Sequence, residues 1–162
     1  LDGLKFAYIG DGNNMAHSIM VGCAKVGMNV AIGHPKGYAP EAEVTTRTRE
    51  FAAEFGTAVQ VTEDPMEAVA DADVVYTDVW ASMGQEDEAT ERLKRFAGFQ
   101  VDAKMMAAAK PSAIFLHCLP AHRGEEVAAE VIDGPQSVVF DQAENRLHAQ
   151  KAIMISLMGR KH

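Results

Sequence analysis

The sequence predicts an α/β protein of one domain, residues 1–162, built on a doubly wound parallel sheet with helices on both faces. Short apolar runs alternate with helix-like segments along the whole chain, and glycine, proline, asparagine or aspartate turns separate them. A hydrophobic share of 48% in 162 residues is enough for one ordinary core. Strands that alternate with helices form a parallel sheet covered on both sides, a three-layer αβα arrangement.

The apolar runs predict six strands, at residues 5–9, 29–32, 58–61, 74–77, 114–117 and 138–140. Helical periodicity and capping residues predict the main helices at 15–26, 41–55, 91–96, 102–109 and 142–158. Two shorter helices are predicted, one opened by Asp64-Pro65 and one around Val127. Right-handed crossovers then give strand order 3-2-1-4-5, with room for the sixth strand, so the fold is expected to be Rossmann-like.

Polar residues follow three of the predicted strands. Asn13 and Asn14 come after the first strand, Asp78 after the fourth, and His117 and Cys118 close the fifth. In the predicted order the first and fourth strands are neighbours where the winding reverses, and ligands bind beyond the carboxyl ends of strands at that point. We therefore expect these side chains to converge on one crevice.

The residue types at this crevice suit a bound amino acid. Asp78 can hold an ammonium group or act as a base, although a carboxylate at this position can also simply cap a turn. Asn14 is more often a helix cap at such a position, but a helix start also offers free N–H groups to a ligand carboxylate. A substrate carboxylate near Asn14 and an ammonium near Asp78 fit both.

The cysteine and histidine at the fifth strand are less specific. A buried cysteine such as Cys118 is usually an inert small hydrophobe. Neighbours along a strand point to opposite faces, so adjacency of His117 and Cys118 does not predict an activated thiol. His117 is equally well explained as a core histidine bonded to backbone.

Composition and motifs exclude several classes of function. The net charge of −8 opposes non-specific nucleic-acid binding, and no apolar run approaches the ~20 residues of a membrane span. We see no signal-peptide pattern, and two cysteines are too few for a disulfide framework, which favours a reducing cytoplasm. The histidine spacing matches no zinc signature, so we expect no metal site and no cofactor.

A nicotinamide-dependent oxidoreductase is the alternative from the residues alone. The first loop, Gly10-Asp11-Gly12-Asn13-Asn14-Met15, begins like a dinucleotide fingerprint, but Met15 replaces its third glycine. The second strand is followed by Gly33 and His34 and not by the acid that binds a ribose hydroxyl. Both departures make this alternative the weaker one.

Four motifs together resemble the C-terminal, ornithine-binding domain of ornithine carbamoyltransferases. Spacing and order agree from Leu4 to Met158, which is nearly the whole chain. The motifs are Gly10 to Asn14 with His17-Ser18, the loop Asp78 to Glu86 around Ser82-Met83-Gly84, His117-Cys118-Leu119-Pro120, and Gln142-Ala143-Glu144-Asn145-Arg146.

The resemblance implies transfer of the carbamoyl group of carbamoyl phosphate to the δ-amino group of L-ornithine. The products are L-citrulline and phosphate, as in arginine biosynthesis or the urea cycle. By the same resemblance Asn14 and the backbone near Met83 bind the ornithine carboxylate, and Asp78 and Ser82 bind its α-ammonium.

The remaining roles are implied by resemblance as well. Cys118 and Asp78 lie near the δ-amino group, with Cys118 as proton acceptor and His117 as a supporting, orienting residue. Cys118, Leu119 and Arg146 contact the carbonyl side of carbamoyl phosphate. The catalytic set implied is therefore Cys118, Asp78 and His117.

The chain departs from the family at the phosphate-binding motifs. Residues 45–49 imitate the family's Ser-Thr-Arg-Thr-Arg segment, but they follow the first-strand motif and fall in a predicted helix, where we expect them to face solvent. His34-Pro35-Lys36-Gly37 lacks the family's His-Pro-x-Gln pattern. We therefore expect the N-terminal carbamoyl phosphate domain to be absent from this chain.

The expected behaviour of the isolated chain follows from that absence. It would supply the ornithine side of the enzyme, be inactive alone, and be monomeric or weakly associated, whereas the full-length enzyme would be a homotrimer. The alternative is an amino-acid-binding module without any activity.

Overall fold

Five parallel strands form one sheet in the order β3-β2-β1-β4-β5. A computed structural model of the chain describes residues 1–81 and 89–159. The strands are β1 (Lys5–Ile9), β2 (Asn29–Gly33), β3 (Val59–Thr62), β4 (Val74–Thr77) and β5 (Ile114–His117). The helices are α1 (Asn14–Lys25), α2 (Ala42–Phe55), α3 (Pro65–Val69), α4 (Ala89–Arg95), α5 (Ala103–Ala108), α6 (Ala129–Ile132) and α7 (Val139–Met158). The doubly wound α/β prediction and its strand order are confirmed.

The predicted sixth strand is wrong. Val138 immediately precedes α7, residues 139–140 begin that helix, and Ser137 makes one isolated bridge to Phe115. Val139 is buried in the core, whereas the next side chain, Phe140, is 74% exposed. A run of three apolar residues does not distinguish a strand from the first turn of a helix.

Alternation along the strands builds two cores, one on each face of the sheet. On β1, Ala7 and Ile9 belong to the cluster that packs against α3, α5 and α6, and Tyr8 belongs to the cluster that packs against α1. A parallel sheet needs apolar residues on both of its faces, because helices cover both. The fold therefore has the expected three layers.

The segment that imitates a phosphate-binding motif lies inside α2, as predicted, but it does not simply face solvent. Thr45 and Thr48 are buried, and the Thr48 hydroxyl donates to the Val44 carbonyl. Arg47 is exposed and lies over the Phe51 ring at 5.7 Å. These threonines serve helix packing.

The last helix carries apolar side chains into solvent. Its first turn contacts β5, but Leu147, Ile155 and Leu157 are 55%, 72% and 80% exposed. No helix in residues 1–81 and 89–159 is long and apolar enough to span a membrane.

Candidate active site

The carboxyl ends of three neighbouring strands lie in register. Ile9 pairs with Thr77, and Thr77 pairs with His117. The Thr77 hydroxyl donates to the Ile9 carbonyl at 2.6 Å, which ties β1 to β4 at this edge. The residues that follow, including Asp78 and Cys118, leave the sheet side by side, because adjacent strands lie only ~4.8 Å apart.

Asp78 and Cys118 form a direct contact at this edge. Asp78 is 8% exposed, and its Oδ1 accepts the Val79 N–H at 2.8 Å. The Cys118 thiol donates to the same oxygen, with Sγ and Oδ1 2.9 Å apart. The structure thus brings together the predicted acid and the predicted thiol, from loops 40 residues apart in sequence.

The surroundings hold Cys118 as a thiol. Burial, together with the hydrogen bond and negative charge of Asp78, raises the pKa of Cys118 to about 12. Burial also raises the pKa of the nearby Tyr76 hydroxyl. In the absence of a ligand the sulfur is therefore a hydrogen-bond donor at neutral pH and not a thiolate.

His117 points to the other face of the sheet, as strand alternation predicts. Its ring is buried, with Nδ1 2.8 Å from the Leu119 backbone nitrogen and Nε2 3.2 Å from Oε1 of Glu126. Leu119 has a φ of 56°, so the chain turns sharply just after Cys118. Glu126 was missed from sequence because no spacing rule relates it to His117.

The helix cap after β1 is Asn13, and not Asn14. The Asn13 side chain accepts the N–H groups of Met15 and Ala16 at 2.9 and 3.3 Å. Asn14 is the first residue of α1, and its side chain is exposed. The interpretation of Asn14 as the helix cap is therefore wrong. The exposed side-chain amide of Asn14 is available to a ligand at the start of α1.

The predicted carbamoyl phosphate residues have different settings. Leu119 is half-buried beside Cys118, whereas Arg146 is exposed on α7. One turn before Arg146, the Gln142 Oε1 accepts the His117 backbone N–H at 3.0 Å. Residues four apart on a helix share a face, so Arg146 lies on the side of α7 that approaches the end of β5. Gln142 belongs to the motif at residues 142–146, but its hydrogen bond to the His117 backbone was not predicted.

A buried arginine links the loop after β1 to the segment after β4. Arg92 of α4 donates to Asp11 at 2.6 Å and to the Trp80 carbonyl at 2.8 Å. Its guanidinium also lies over the Tyr38 ring at 5.0 Å, while the Trp80 ring packs against Phe96. This network holds the two loops that carry Asn14 and Asp78. Nothing in the sequence spacing identifies it.

Two of the predicted ornithine-binding residues, Ser82 and Met83, lie outside the described residues. Among the residues that are described, His122, Glu125 and Glu126 form a group whose ligand atoms lie within 4.8 Å of one another. Such a group can form without an ion, and the expectation of no metal site stays a prediction.

The first loop has a structural reason for Gly12. A Cβ at this position would collide with the backbone of Ala39 and Pro40, and the Gly12 N–H donates to the Tyr38 carbonyl at 2.8 Å. The chain's own 38–40 segment therefore occupies the close approach that a dinucleotide pyrophosphate needs. After β2, the buried His34 stands where a ribose-binding acid would be. Both observations count against the oxidoreductase alternative.

Comparison with known proteins identifies relatives over nearly the whole chain. Residues 2–157 match the family described as aspartate/ornithine carbamoyltransferase, Asp/Orn binding domain. The chain is 64% identical over 159 residues to an ornithine carbamoyltransferase of Symbiobacterium thermophilum, a match that covers 98% of this chain and 51% of that protein.

Solved structures agree with the sequence comparison. The ornithine carbamoyltransferase of Pyrococcus furiosus is similar with a TM-score of 0.93 and 55% identity, over 99% of this chain and 51% of that one. The enzyme of Gloeobacter violaceus gives a TM-score of 0.90 and 51% identity, over 98% and 53%. The chain spans about half the length of the curated relatives that it matches.

Proposed function

The chain belongs to the aspartate/ornithine carbamoyltransferase family, and from this premise we propose that it supplies the ornithine side of an ornithine carbamoyltransferase. The observation that carries the proposal is the buried Asp78 carboxylate in contact with Cys118 at the strand ends. A buried carboxylate attracts an amine-bearing substrate and repels the second carboxylate of aspartate. The relatives named ornithine carbamoyltransferase support the same choice.

The amine of ornithine has to lose a proton before it can attack. A lysine-like ammonium has a pKa of ~10.4, and freeing its lone pair at pH 7 costs ~4.6 kcal/mol. In our proposal Asp78 lies near the δ-ammonium as well as the α-ammonium. The site contains little water, and desolvation of the δ-ammonium lowers the cost of removing its proton. Asn14 and the backbone near Met83 hold the carboxylate, and Ser82 assists Asp78 with the α-ammonium.

Cys118 is proposed to accept the proton in its thiolate form. The unliganded thiol, whose pKa is raised to about 12 by burial and by Asp78, must first release its own proton to solvent. An incoming ammonium favours this release, because a neighbouring cation stabilises a thiolate. The thiolate then takes one proton from the ammonium. His117 orients this segment and transfers no proton.

The neutral amine then forms a bond with the carbamoyl carbon, and the carbon–oxygen bond to phosphate breaks. Phosphate leaves with the electron pair of that bond and takes the second amine proton. Arg146 and Leu119 are proposed to bind the carbonyl side of carbamoyl phosphate, where a cation stabilises the developing charge. No cofactor or metal enters this scheme.

The main phosphate ligands are proposed to lie outside this chain, in an N-terminal domain. The half-length coverage of the relatives supports this proposal. We further propose that the complete enzyme is a cytoplasmic homotrimer that makes citrulline for arginine biosynthesis. The 162-residue chain alone would bind ornithine weakly and catalyse nothing. For the isolated domain, this is the same behaviour as that of an amino-acid-binding module without activity.

The test is an assay of the natural polypeptide that contains this chain, with carbamoyl phosphate and either L-ornithine or L-aspartate. We expect citrulline formation, and a kcat/KM for ornithine on the order of 10³-fold above that for aspartate, since a mismatched buried charge is strongly rejected. Preference for aspartate, or absence of carbamoyl transfer to either amine, would contradict the proposal.

A further inference from the structure

We propose that Glu126 is a positioning residue for this site: it fixes the tautomer of His117 and, through His117, the backbone that presents Cys118 and Leu119. The inference rests on the proposed function for its catalytic consequence. The hydrogen-bond chain that carries it does not depend on that function.

Glu126 is a carboxylate with no solvent exposure, in the loop between β5 and α6. Its Oε1 accepts the His122 backbone N–H at 2.6 Å and lies 3.2 Å from His117 Nε2. A buried carboxylate is costly unless hydrogen bonds compensate for lost water. Both bonds converge on Oε1, so this one oxygen joins the His117 ring to the backbone of the loop at His122.

The hydrogen bonds of His117 determine where its proton lies. Leu119 donates its backbone N–H to His117 Nδ1 at 2.8 Å, so Nδ1 must carry a lone pair. The ring proton of neutral His117 is then on Nε2, where Glu126 accepts it. The carboxylate therefore selects the tautomer that lets the ring hold Leu119.

Cys118 lies between two fixed points as a result. On one side the His117 backbone N–H donates to Gln142, and on the other side the Leu119 N–H donates to the His117 ring. The position of the Cys118 sulfur 2.9 Å from Asp78 depends on this short stretch of backbone. A displacement of ~1 Å in an active site can cost ~10²-fold in rate.

The second carboxylate oxygen gives an independent indication. Glu126 Oε2 is buried and has no hydrogen-bond partner in the part of the chain that the structure describes, with His122 Nδ1 3.9 Å away. An apolar side chain of similar size would fill this space without that penalty. The presence of a carboxylate at position 126 is therefore explained by the hydrogen bond between its Oε1 and His117 Nε2.

Two substitutions separate acceptor geometry from mere volume. Glu126→Gln keeps an oxygen for His117 and His122, and its amide can face His122 Nδ1. Glu126→Leu keeps the volume and removes the acceptor. Glu125→Gln is the matched control, since Glu125 is next in sequence, lies within 4.8 Å of the same group and makes no bond to His117.

In the natural full-length enzyme, we expect Glu126→Leu to lower kcat by ~10²-fold, the cost of a ~1 Å displacement of a reacting group. The KM for ornithine should change less than ~3-fold, because Asn14 and Asp78 are not touched. Glu126→Gln should restore kcat to within ~5-fold of wild type, and Glu125→Gln should match wild type. Equal turnover of Glu126→Leu and wild type would overturn the proposal.

Imidazole ¹⁵N NMR of the wild-type chain tests the same contact without any substitution, so misfolding of a variant cannot affect the result. The expected spectrum shows His117 protonated at Nε2, with coupling between Nδ1 and the Leu119 amide nitrogen. A His117 protonated at Nδ1 would refute the inference even if the enzyme is active. Conversely, an inactive wild-type enzyme with the expected NMR result would remove the proposed function and leave the positioning contact standing.

Discussion

The two sides of the candidate site differ in how completely this chain builds them. On the strand side, Asp78, Cys118 and His117 are buried or half-buried and hydrogen-bonded to one another or to neighbouring loops. On the helix side, Arg146 projects from α7 into solvent, along with apolar residues such as Leu157. The comparison teaches that sheet register and local hydrogen bonds can prepare the proposed amine-binding residues, whereas Arg146, proposed to bind carbamoyl phosphate, is exposed in this chain.

The largest expected effect is on the strand side. Asp78→Asn in the full-length enzyme should lower kcat/KM for ornithine by on the order of 10³-fold, because an amide cannot balance a buried ammonium. Steady-state kinetics with varied ornithine would measure this. Asp141→Asn, on an exposed position of α7, is the control and should keep wild-type kinetics. Near-wild-type activity of Asp78→Asn would remove the proposed amine-binding role.

The next effect concerns the exposed side. Arg146→Ala should lower kcat by ~10²-fold through lost stabilisation of the carbamoyl oxygen, with little change in melting temperature since the side chain is exposed. Arg47→Ala on α2 is the matched control. Kinetics together with calorimetry would check both. An unchanged kcat would mean that Arg146 is only a surface residue.

Thiol chemistry sharpens the comparison further. With the pKa of Cys118 raised to about 12, alkylation by iodoacetamide should accelerate ~10-fold per pH unit between pH 7 and 10, because only the thiolate reacts. Asp78→Asn removes two contributions that raise this pKa, so alkylation at pH 8 should be ~10-fold faster than in wild type. Cys23, whose pKa burial alone raises to about 12, serves as internal control under mass spectrometry. A slower Cys118 in Asp78→Asn would contradict the Asp78–Cys118 contact.

The smallest effect lies away from the site, at the opposite end of the strands. The hydrogen bond from Lys110, with the Lys5 backbone N–H, lowers the pKa of Asp73. A depressed pKa contributes stability above the unfolded value of ~3.9, and that contribution is lost as pH falls through the folded value. Asp73→Asn should therefore cost about 1 kcal/mol at pH 7 after solvent screening, and less near pH 3. Urea unfolding at both pH values would check this, and a cost that grows on acidification would refute it.

Sequence patterns predicted the sheet well because its signals are local. Apolar runs, glycine turns and right-handed crossovers were sufficient to place Asp78 and Cys118 at one edge. They failed at residues 138–140, where three apolar residues suit either a strand or a helix start.

The meeting of Asp78 and Cys118 was predicted, but the residues that support them were not. Asn13 took the capping role expected for Asn14, because a shift of one residue at a helix start leaves no trace in composition. Glu126 and Arg92 act through contacts that form only when distant loops meet, so no spacing could reveal them. Chemistry at strand ends is visible in sequence, whereas the buried partners that orient it need three-dimensional neighbours.

The measurement that tests the central claim most directly is an NMR titration of the ¹⁵N-labelled 162-residue chain with L-ornithine, with L-aspartate as comparison. If the amine-binding half is preformed, the amides of Asn14, Asp78 and Cys118 should shift saturably with ornithine, with a Kd on the order of 1 mM or weaker. The same amides should not move with aspartate, nor with ornithine in Asp78→Asn. Equal shifts with both amino acids, or none with ornithine, would contradict the account.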